Sequence, residues 1–158
     1  MKKSIAIGDS CPCFCLPNQD GNIINLADYL GKSNIVLFFY PKDDTPGCTK
    51  EACTFRDEGE RFIRLNCKVF GISSDPVQKH QQFAARYSLN YDILSDQQQN
   101  VRKLFGVPKN LFGLIPGRVT YIIDVQGTVQ GIFNSLTNPV GHVREAIDCL
   151  ERLSGATR

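Results

Sequence analysis

The chain has 158 residues, of which 42% are hydrophobic and 22% are charged, and its net charge is +2. This length and balance are typical of one globular domain with a full core, which we expect to span residues 1–158. Charges of both signs are mixed along the chain, which argues against a nucleic-acid groove, and no apolar run is long enough to span a membrane. The two N-terminal lysines are not followed by an apolar segment, so we expect no signal peptide.

The first part of the chain predicts a hairpin, a buried strand and a long helix. Residues 18–22 are a cluster of turn formers, which we expect to join two short strands. The uninterrupted apolar run at 35–40 is typical of a strand that is covered on both faces of a mixed or parallel sheet. From 49 to 65, apolar residues recur at helical spacing with charges between them, and this pattern predicts one helix.

The rest of the chain alternates strands with helices. Strands are predicted at 68–73 and 92–96, and Asp75 and Pro76 predict the N-cap and first residue of the helix between them. A further helix follows through residue 104. Two strands then flank a hairpin loop at 125–127, and an amphipathic helix from about 140 to 153 ends the pattern. This order predicts an α/β protein: a three-layer α/β/α sandwich with a thioredoxin-like core and an N-terminal β-hairpin extension.

Cys48 falls where a helix should begin. The apolar strand stops at Pro41, a polar turn follows, and Cys48 comes at the start of the next helical pattern. The first turn of a helix has unpaired backbone N–H groups and the positive end of the dipole, and both favour a thiolate over a thiol. Because the thiolate is the nucleophilic form, the sequence predicts a reactive sulfur at Cys48.

Cys53 follows Cys48 by five residues and is a candidate to react with the sulfur of Cys48 once that sulfur is oxidised. Five residues along a helix rise ~7.5 Å and rotate ~140°, so the two thiols project from different faces. A disulfide needs Cα atoms within ~7 Å and converging side chains. Either the first turns of the helix unwind or Cys53 is only structural. We expect a cycle in which this segment is folded when reduced and locally unfolded when oxidised.

The residues around Cys48 carry a resemblance to a known family. Pro41, Thr45 and Cys48 match the Pro-x-x-x-Thr-x-x-Cys signature of peroxiredoxins. The longer run Thr-Pro-Gly-Cys-Thr-Lys-Glu-Ala-Cys at 45–53 resembles the subgroup called bacterioferritin comigratory protein, or peroxiredoxin Q. The similarity covers nearly the whole chain, and the segment that begins at residue 104 looks most like the plant and cyanobacterial branch.

This resemblance implies an enzyme, a thiol-dependent peroxidase of the atypical two-cysteine type that needs no cofactor and no metal. Cys48 would attack hydrogen peroxide or an alkyl hydroperoxide and become a sulfenic acid. Cys53 would condense with that sulfenic acid to form an intramolecular disulfide. Thioredoxin or a similar dithiol would then reduce the disulfide and restore both thiols.

The resemblance also implies three assisting residues. The hydroxyl of Thr45 would hydrogen-bond the peroxide and the thiolate. Arg118, in a segment similar to the family's arginine-bearing strand, would stabilise the thiolate and the developing charge with its permanent cation. Pro41 would shape and dry the pocket, since it has no N–H of its own. Glu51 either orients Arg118 or favours the helix N-terminus, and we expect the latter.

An intramolecular cysteine pair removes the need for a second subunit, so we expect a monomer. We expect no nucleic-acid or membrane partner. The expected location is cytoplasmic, with a chloroplast as the alternative if this is a processed plant chain.

The residues by themselves leave two other functions open. A thiol–disulfide oxidoreductase could use the same pair on protein disulfides, although such enzymes favour a Cys-x-x-Cys spacing. A non-catalytic redox sensor or a cysteine-rich metal-binding module is the second alternative. The one-residue gaps between Cys11, Cys13 and Cys15 do not match the spacing of structural zinc sites.

The remaining cysteines predict packing more than chemistry. We expect Cys67 and Cys149 in the core, at the start of a strand and on the last helix. Alternation along a strand would place Cys11, Cys13 and Cys15 on one face, where three packed side chains are expected rather than a redox or metal site.

The two histidines and one loop complete the predictions. His80 and His142 are expected at the surface or at helix caps and are assigned no function. The apolar run at 111–116 is expected to pack against the domain.

Overall fold

The structure, a computed structural model, describes residues 4–110 and 115–155. The strands in these residues are β1 (Cys15–Pro17), β2 (Ile23–Asn25), β3 (Asn34–Phe39), β4 (Cys67–Ser73), β5 (Asp92–Ser95), β6 (Lys109–Asn110), β7 (Ile115–Pro116), β8 (Val119–Ile123) and β9 (Val129–Asn134). The α-helices are α1 (Pro46–Asp57), α2 (Gly59–Arg64), α3 (Val77–Tyr87), α4 (Asn100–Phe105) and α5 (Pro139–Gly155). The apolar run at 111–116 lies mostly outside the described residues.

A five-stranded mixed sheet in the order β5-β4-β3-β8-β9 forms the centre of the fold. The strand β3 pairs in parallel with β4 and antiparallel with β8. The predicted hairpin loop at 125–127 joins β8 to β9. The turn at 18–22 joins β1 to β2 in a separate antiparallel hairpin, as expected for the N-terminal extension.

The central strand β3 is buried on both faces because apolar side chains point to both sides of the sheet. Alternate residues enter two different core clusters, one on each face. Ile35, Leu37 and Phe39 belong to the first cluster, and Val36, Phe38 and Tyr40 belong to the second.

Helices cover one face of the sheet, and mixed elements cover the other. The helices α1, α2 and α5 pack on the face of the sheet that carries Phe38, and α3 packs beside them. The short helix α4 and the N-terminal hairpin pack on the opposite face, where Phe14 and Phe105 meet edge to face. The α/β fold with a central sheet between two covering layers is therefore confirmed. None of the described helices is both long and apolar enough to cross a membrane.

Two of the predicted helix boundaries were wrong. The single helix expected over 49–65 is two helices: α1 ends at Asp57, Glu58 lies between the helices, and α2 begins at Gly59, which packs against the side-chain amide of Asn90. The helix α3 begins at Val77 rather than at Pro76. Asp75 does not cap it, because its carboxylate accepts hydrogen bonds from the backbone N–H of Asp43 and the hydroxyl of Ser73.

The cysteines of the core are partly as predicted. Cys67 and Cys149 are buried, as expected, and so is Cys11. The thiols of Cys13 and Cys15 are exposed, so the expectation of three packed side chains was wrong. The alternation rule failed because β1 begins only at Cys15, and the residues before it do not follow a strand.

Candidate active site

Cys48 lies in the first turn of α1, where the loop after β3 enters the helix. The helix begins at Pro46, which suits the first helical position because it has no N–H to leave unpaired. The N-cap position is Thr45, in extended conformation. Cys48 is a free cysteine and only 1% of its surface is exposed. The sulfur therefore combines the positive end of a helix dipole with a largely water-free surrounding.

Arg118 is the residue just before β8, and its side chain reaches this turn of α1. Its side chain is buried, and its terminal nitrogen packs against Gly47 so closely that a Cβ on Gly47 would lie 2.9 Å from it. Burial by itself lowers the pKa of Arg118, but attraction to Glu51 and Cys48 outweighs it, and the pKa is raised. The guanidinium thus stays charged beside Cys48.

Glu51 holds Arg118 in this position, so the expectation that Glu51 mainly favours the helix N-terminus was wrong. Its Oε1 accepts a hydrogen bond of 2.7 Å from Nη1 of Arg118, and its side chain is fully buried. Glu51 lies three residues after Cys48, which places both on one face of α1. Burial raises the pKa of Glu51 to about 8 even though Arg118 pulls it down.

A buried histidine stands behind Glu51, so the expectation that His142 lies at the surface or a cap was wrong. His142 is on α5, and its Nε2 donates to the carbonyl of Ser135 at 2.7 Å. Its Nδ1 lies 2.8 Å from the hydroxyl of Thr120 and 3.6 Å from Oε2 of Glu51. Burial lowers the pKa of His142 to about 4, so the ring is neutral at pH 7.

A second buried arginine, which the sequence reasoning missed, ties the two sides of the site together. Arg102 on α4 donates to the carbonyl of Tyr40, which precedes Pro41, and to the carbonyl of Gly117, which precedes Arg118. Pro41 itself is half-buried. The signal in the sequence that could have indicated Arg102 was Asp96. Its carboxylate accepts hydrogen bonds from the backbone N–H groups of Val101 and Arg102 at the start of α4.

Of the five predicted site residues, the structure brings Cys48 and Arg118 together and does not bring Cys53 to them. The hydroxyl of Thr45 donates to the carbonyl of Lys42 at 2.9 Å, which leaves its oxygen able to accept a further hydrogen bond. Cys53 is half-buried on the same helix as Cys48, and neither is in a disulfide. Because α1 runs unbroken through both residues, their sulfurs cannot bond without unwinding it.

Comparison with known proteins identifies the family. Residues 7–132 match the AhpC/TSA family. The chain belongs to this family. It is 43% identical over 149 residues to chloroplastic peroxiredoxin Q of Oryza sativa subsp. japonica. The aligned residues cover 94% of this chain and 68% of the rice protein. It is therefore a peroxiredoxin, a thiol-dependent peroxidase.

Solved structures show the same fold. The crystal structure of peroxidoxin BcpB from Mycobacterium tuberculosis is 38% identical with a TM-score of 0.85, over 92% of this chain and 96% of that one. The bacterioferritin comigratory protein of Xanthomonas campestris is 26% identical with a TM-score of 0.81, over 91% of this chain and 98% of that one. The thioredoxin-like fold of this peroxiredoxin is thus shared along almost its full length.

A buried polar network lies beside the site in this peroxiredoxin. His80 is fully buried, so its expected surface position was also wrong; its Nδ1 lies 2.6 Å from Oδ2 of Asp43 and its Nε2 donates to the carbonyl of Leu94. The carboxylate of Asp75 lies next to this pair. Among the described residues these three are the one group of at least three His, Cys, Asp or Glu side chains close enough to hold a metal ion. Hydrogen bonds already use these atoms, since His80 bonds Asp43 and the Asp75 carboxylate accepts from the backbone N–H of Asp43 and the hydroxyl of Ser73. We therefore assign no metal.

Gly47 offers a direct test of the Arg118 position. Gly47→Ala is expected to lower the peroxidase kcat/KM roughly ten- to hundredfold, because the new Cβ would push the guanidinium away from the sulfur. Alanine is a better helix former than glycine, so α1 itself is not weakened. The control is Gly155→Ala in α5, where a Cβ meets nothing within 4 Å. Equal kcat/KM for Gly47→Ala and the wild type would show that the close packing has no role in the reaction.

Proposed function

We propose that this peroxiredoxin reduces hydrogen peroxide and alkyl hydroperoxides through Cys48. The observation that carries the proposal is the position of the Cys48 sulfur, buried in the first turn of α1 beside the guanidinium of Arg118. The sulfur attacks the distal oxygen of the peroxide, the O–O bond breaks, and Cys48 becomes a sulfenic acid while water or an alcohol leaves. The Xanthomonas campestris relative is described in terms of alkyl peroxide reduction, which supports the inclusion of alkyl hydroperoxides.

Three neighbours serve this step in the proposal. Arg118 stabilises the thiolate and the negative charge that develops on the leaving oxygen. The Thr45 hydroxyl, held by the carbonyl of Lys42, presents its oxygen to the peroxide O–H. Pro41 follows the tethered carbonyl of Tyr40 and limits water at the mouth of the site.

Cys53 resolves the sulfenic acid, and this second step requires α1 to open. Its sulfur attacks the sulfenic acid, a water leaves, and a Cys48–Cys53 disulfide forms. The contacts that must be released are visible: the hydroxyl of Tyr91 donates to the carbonyl of Ala52 at 2.7 Å, and Arg56 donates to the carbonyl of Tyr87. A dithiol reductant, which we propose to be thioredoxin, then restores both thiols.

The working unit in this proposal is one domain over residues 1–158, acting as a monomer without nucleic-acid or membrane partners, because the reactive pair is contained in one helix. The proposed location is the cytoplasm. The chloroplast is the alternative, and the names of the plant relatives support it.

The experiment that tests the cycle is peroxide consumption with thioredoxin, thioredoxin reductase and NADPH, compared between the wild type and Cys53→Ser. We expect Cys53→Ser to consume about one peroxide per chain and then stop, because its sulfenic acid has no thiol partner. The control is Cys15→Ser, since that thiol is also accessible but lies on β1. Steady turnover by Cys53→Ser would assign the resolving role to another thiol.

Two further readouts on the same samples test the unwinding. Peptide mapping of the peroxide-treated wild type should find Cys48 linked to Cys53. Hydrogen exchange should show lower protection over residues 49–55 in the oxidised protein than in the reduced protein, because α1 cannot stay intact across that bond. Unchanged protection in a protein whose disulfide has been mapped would contradict the proposed opening.

A further inference from the structure

Arg102 carries a buried charge that no acidic side chain neutralises by contact. Only 5% of its surface is exposed. Its Nη1 donates to the carbonyl of Gly117 at 2.9 Å, and its Nη2 donates to the carbonyl of Tyr40 at 3.1 Å. In the part of the chain that the structure describes, Arg102 forms no ion pair with a carboxylate, whereas Arg118 is paired with Glu51 at 2.7 Å. Burial of an unpaired charge is costly, so other nearby groups have to offset that cost.

The surroundings of this guanidinium include the reactive sulfur. It lies 5.6 Å from the centre of the Phe39 ring, whose face attracts a cation. Burial lowers the pKa of Arg102, and attraction to three groups opposes that effect: Asp96, Tyr121 and Cys48. Burial raises the pKa of Tyr121 to about 12, so this tyrosine is neutral at pH 7, and the carboxylate of Asp96 already accepts two backbone N–H bonds. A thiolate at Cys48 is the other negative charge that can compensate Arg102.

The two carbonyls connect Arg102 to both sides of the site. Tyr40 belongs to the same buried cluster as Cys48. Gly117 precedes Arg118, whose guanidinium packs against the first turn of α1. These carbonyls lie 62 and 15 residues away from Arg102 in the sequence. One side chain therefore joins the end of β3, the helix α4 and the segment that carries the other arginine of the site.

The short helix that carries Arg102 is held at both ends. At its start, the bonds to the Asp96 carboxylate fix the first turn. At its other end, the carbonyl of Phe105 accepts a hydrogen bond of 3.0 Å from the backbone N–H of Ile5. The guanidinium thus projects from a fixed base, and the two carbonyls that it bonds are held to that base.

We propose that Arg102 is a second cation of the peroxidase site, a positioning residue that stabilises the Cys48 thiolate through space while its two carbonyl bonds hold the segments on either side of the sulfur. The proposal rests on the proposed function only in taking Cys48 as the nucleophile. Arg118 divides its attraction between Glu51 and the sulfur, whereas no carboxylate in contact with Arg102 competes for its charge. Arg102 does not touch the peroxide, and no proton or electron passes through it.

Two substitutions separate the charge of Arg102 from its bridge. The guanidinium is a planar fork with donors in fixed directions, so it can bond two carbonyls at once, whereas a lysine ammonium is a compact charge on a flexible stem. Arg102→Lys therefore keeps the charge and loses the rigid bridge. Arg102→Met fills a similar space with an unbranched apolar chain and loses both.

Alkylation of reduced Cys48 by two reagents of different charge tests the cation. Iodoacetate is an anion and iodoacetamide is its neutral analogue, so the ratio of their rates at Cys48, resolved by peptide mass spectrometry, reports the local positive potential. We expect this ratio to fall about fivefold in Arg102→Met and to stay within about twofold of the wild type in Arg102→Lys. The matched control is Lys103→Met, which removes the same charge from an exposed position of the same helix and should leave the ratio unchanged.

A merely structural role for Arg102 gives a different result. Loosened packing would change the rates of both reagents alike, so an unchanged ratio in Arg102→Met would overturn the second cation. Should Arg102→Met fail to fold, Arg102→Gln removes the same charge but keeps an amide donor for one carbonyl, and the same ratio decides. The measurement uses no peroxide and no reductant, so its failure is separate from a failure of the proposed function.

Oxidation of reduced Cys48 by hydrogen peroxide, followed by rapid mixing without reductant, tests the bridge. The second-order rate constant is expected to fall about tenfold in Arg102→Lys, because the segments on either side of the sulfur lose their shared anchor although the charge remains. In Arg102→Met it should fall about fiftyfold, because the charge is lost as well. A wild-type rate constant in Arg102→Lys would overturn the bridging role.

Discussion

Cys48→Ser is expected to lower peroxide turnover by at least about four orders of magnitude, the scale seen when a catalytic nucleophile is removed. A serine hydroxyl in the same turn of α1 stays protonated at neutral pH and cannot be oxidised to a sulfenic acid. The side chain is close in volume to cysteine, so the buried site should remain intact. The measurement is the initial rate of hydrogen-peroxide loss with the thioredoxin system at saturating reductant.

The control for this substitution is Cys13→Ser. Cys13 is an exposed thiol outside the site, and its replacement should leave the rate within about twofold of the wild type, as for other surface substitutions. If Cys48→Ser still consumed peroxide at an appreciable fraction of the wild-type rate, the nucleophile would be a different cysteine, and the roles proposed for Arg118 and Thr45 would have no basis.

The position of Cys48 was predictable because it depends on local signals. An apolar strand that stops at Pro41, a polar turn and the start of a helical pattern lie next to one another in the chain. The structure begins α1 at Pro46, two residues before the cysteine. The hairpins were predictable for the same reason, since turn residues between two short strands act locally.

The partners of Arg118 were not predictable in this way. A glutamate in the first turns of a helix has a local explanation in the helix dipole, and nothing nearby in the sequence indicates the arginine 67 residues away that it contacts. The choice between the two interpretations depends on which face of α1 packs inward. That face is set by the sheet and by α5, and it is known only once they are assembled.

The two histidines could have been placed better from the sequence. His80 is spaced at helical intervals from the buried Phe83 and Ala84, and His142 is spaced in the same way from Ala146 and Cys149. Such spacing puts each histidine on the inward face of its helix. What the spacing could not supply is the hydrogen-bond partners that make burial tolerable, because these partners lie on other strands and loops outside the two helices.

The largest stability effect is expected at the buried network of His80, Asp43 and Leu94. His80→Leu should lower the free energy of unfolding by about 3–5 kcal/mol, the usual cost of removing one partner of a buried pair. The ring donates from Nε2 to Leu94, so the contact of 2.6 Å between Nδ1 and Asp43 requires a second proton between those two atoms. Leucine supplies neither proton, and it leaves Oδ2 of Asp43 and the Leu94 carbonyl buried without donors.

A double variant separates this electrostatic cost from loss of packing. Asp43→Asn combined with His80→Leu leaves no buried carboxylate without a donor. The losses of unfolding free energy of the two single variants, measured in urea, should therefore sum to at least about 1 kcal/mol more than the loss of the double variant. Tyr40 donates its hydroxyl to Oδ1 of Asp43, and this contact can persist with asparagine. Strict additivity, or a His80→Leu effect below about 1 kcal/mol, would mean that Asp43 finds another donor.

Because Asp43 lies in the loop that leads from β3 into α1, this network supports the segment that presents Cys48, and the same variants should bring peroxide turnover down together with stability.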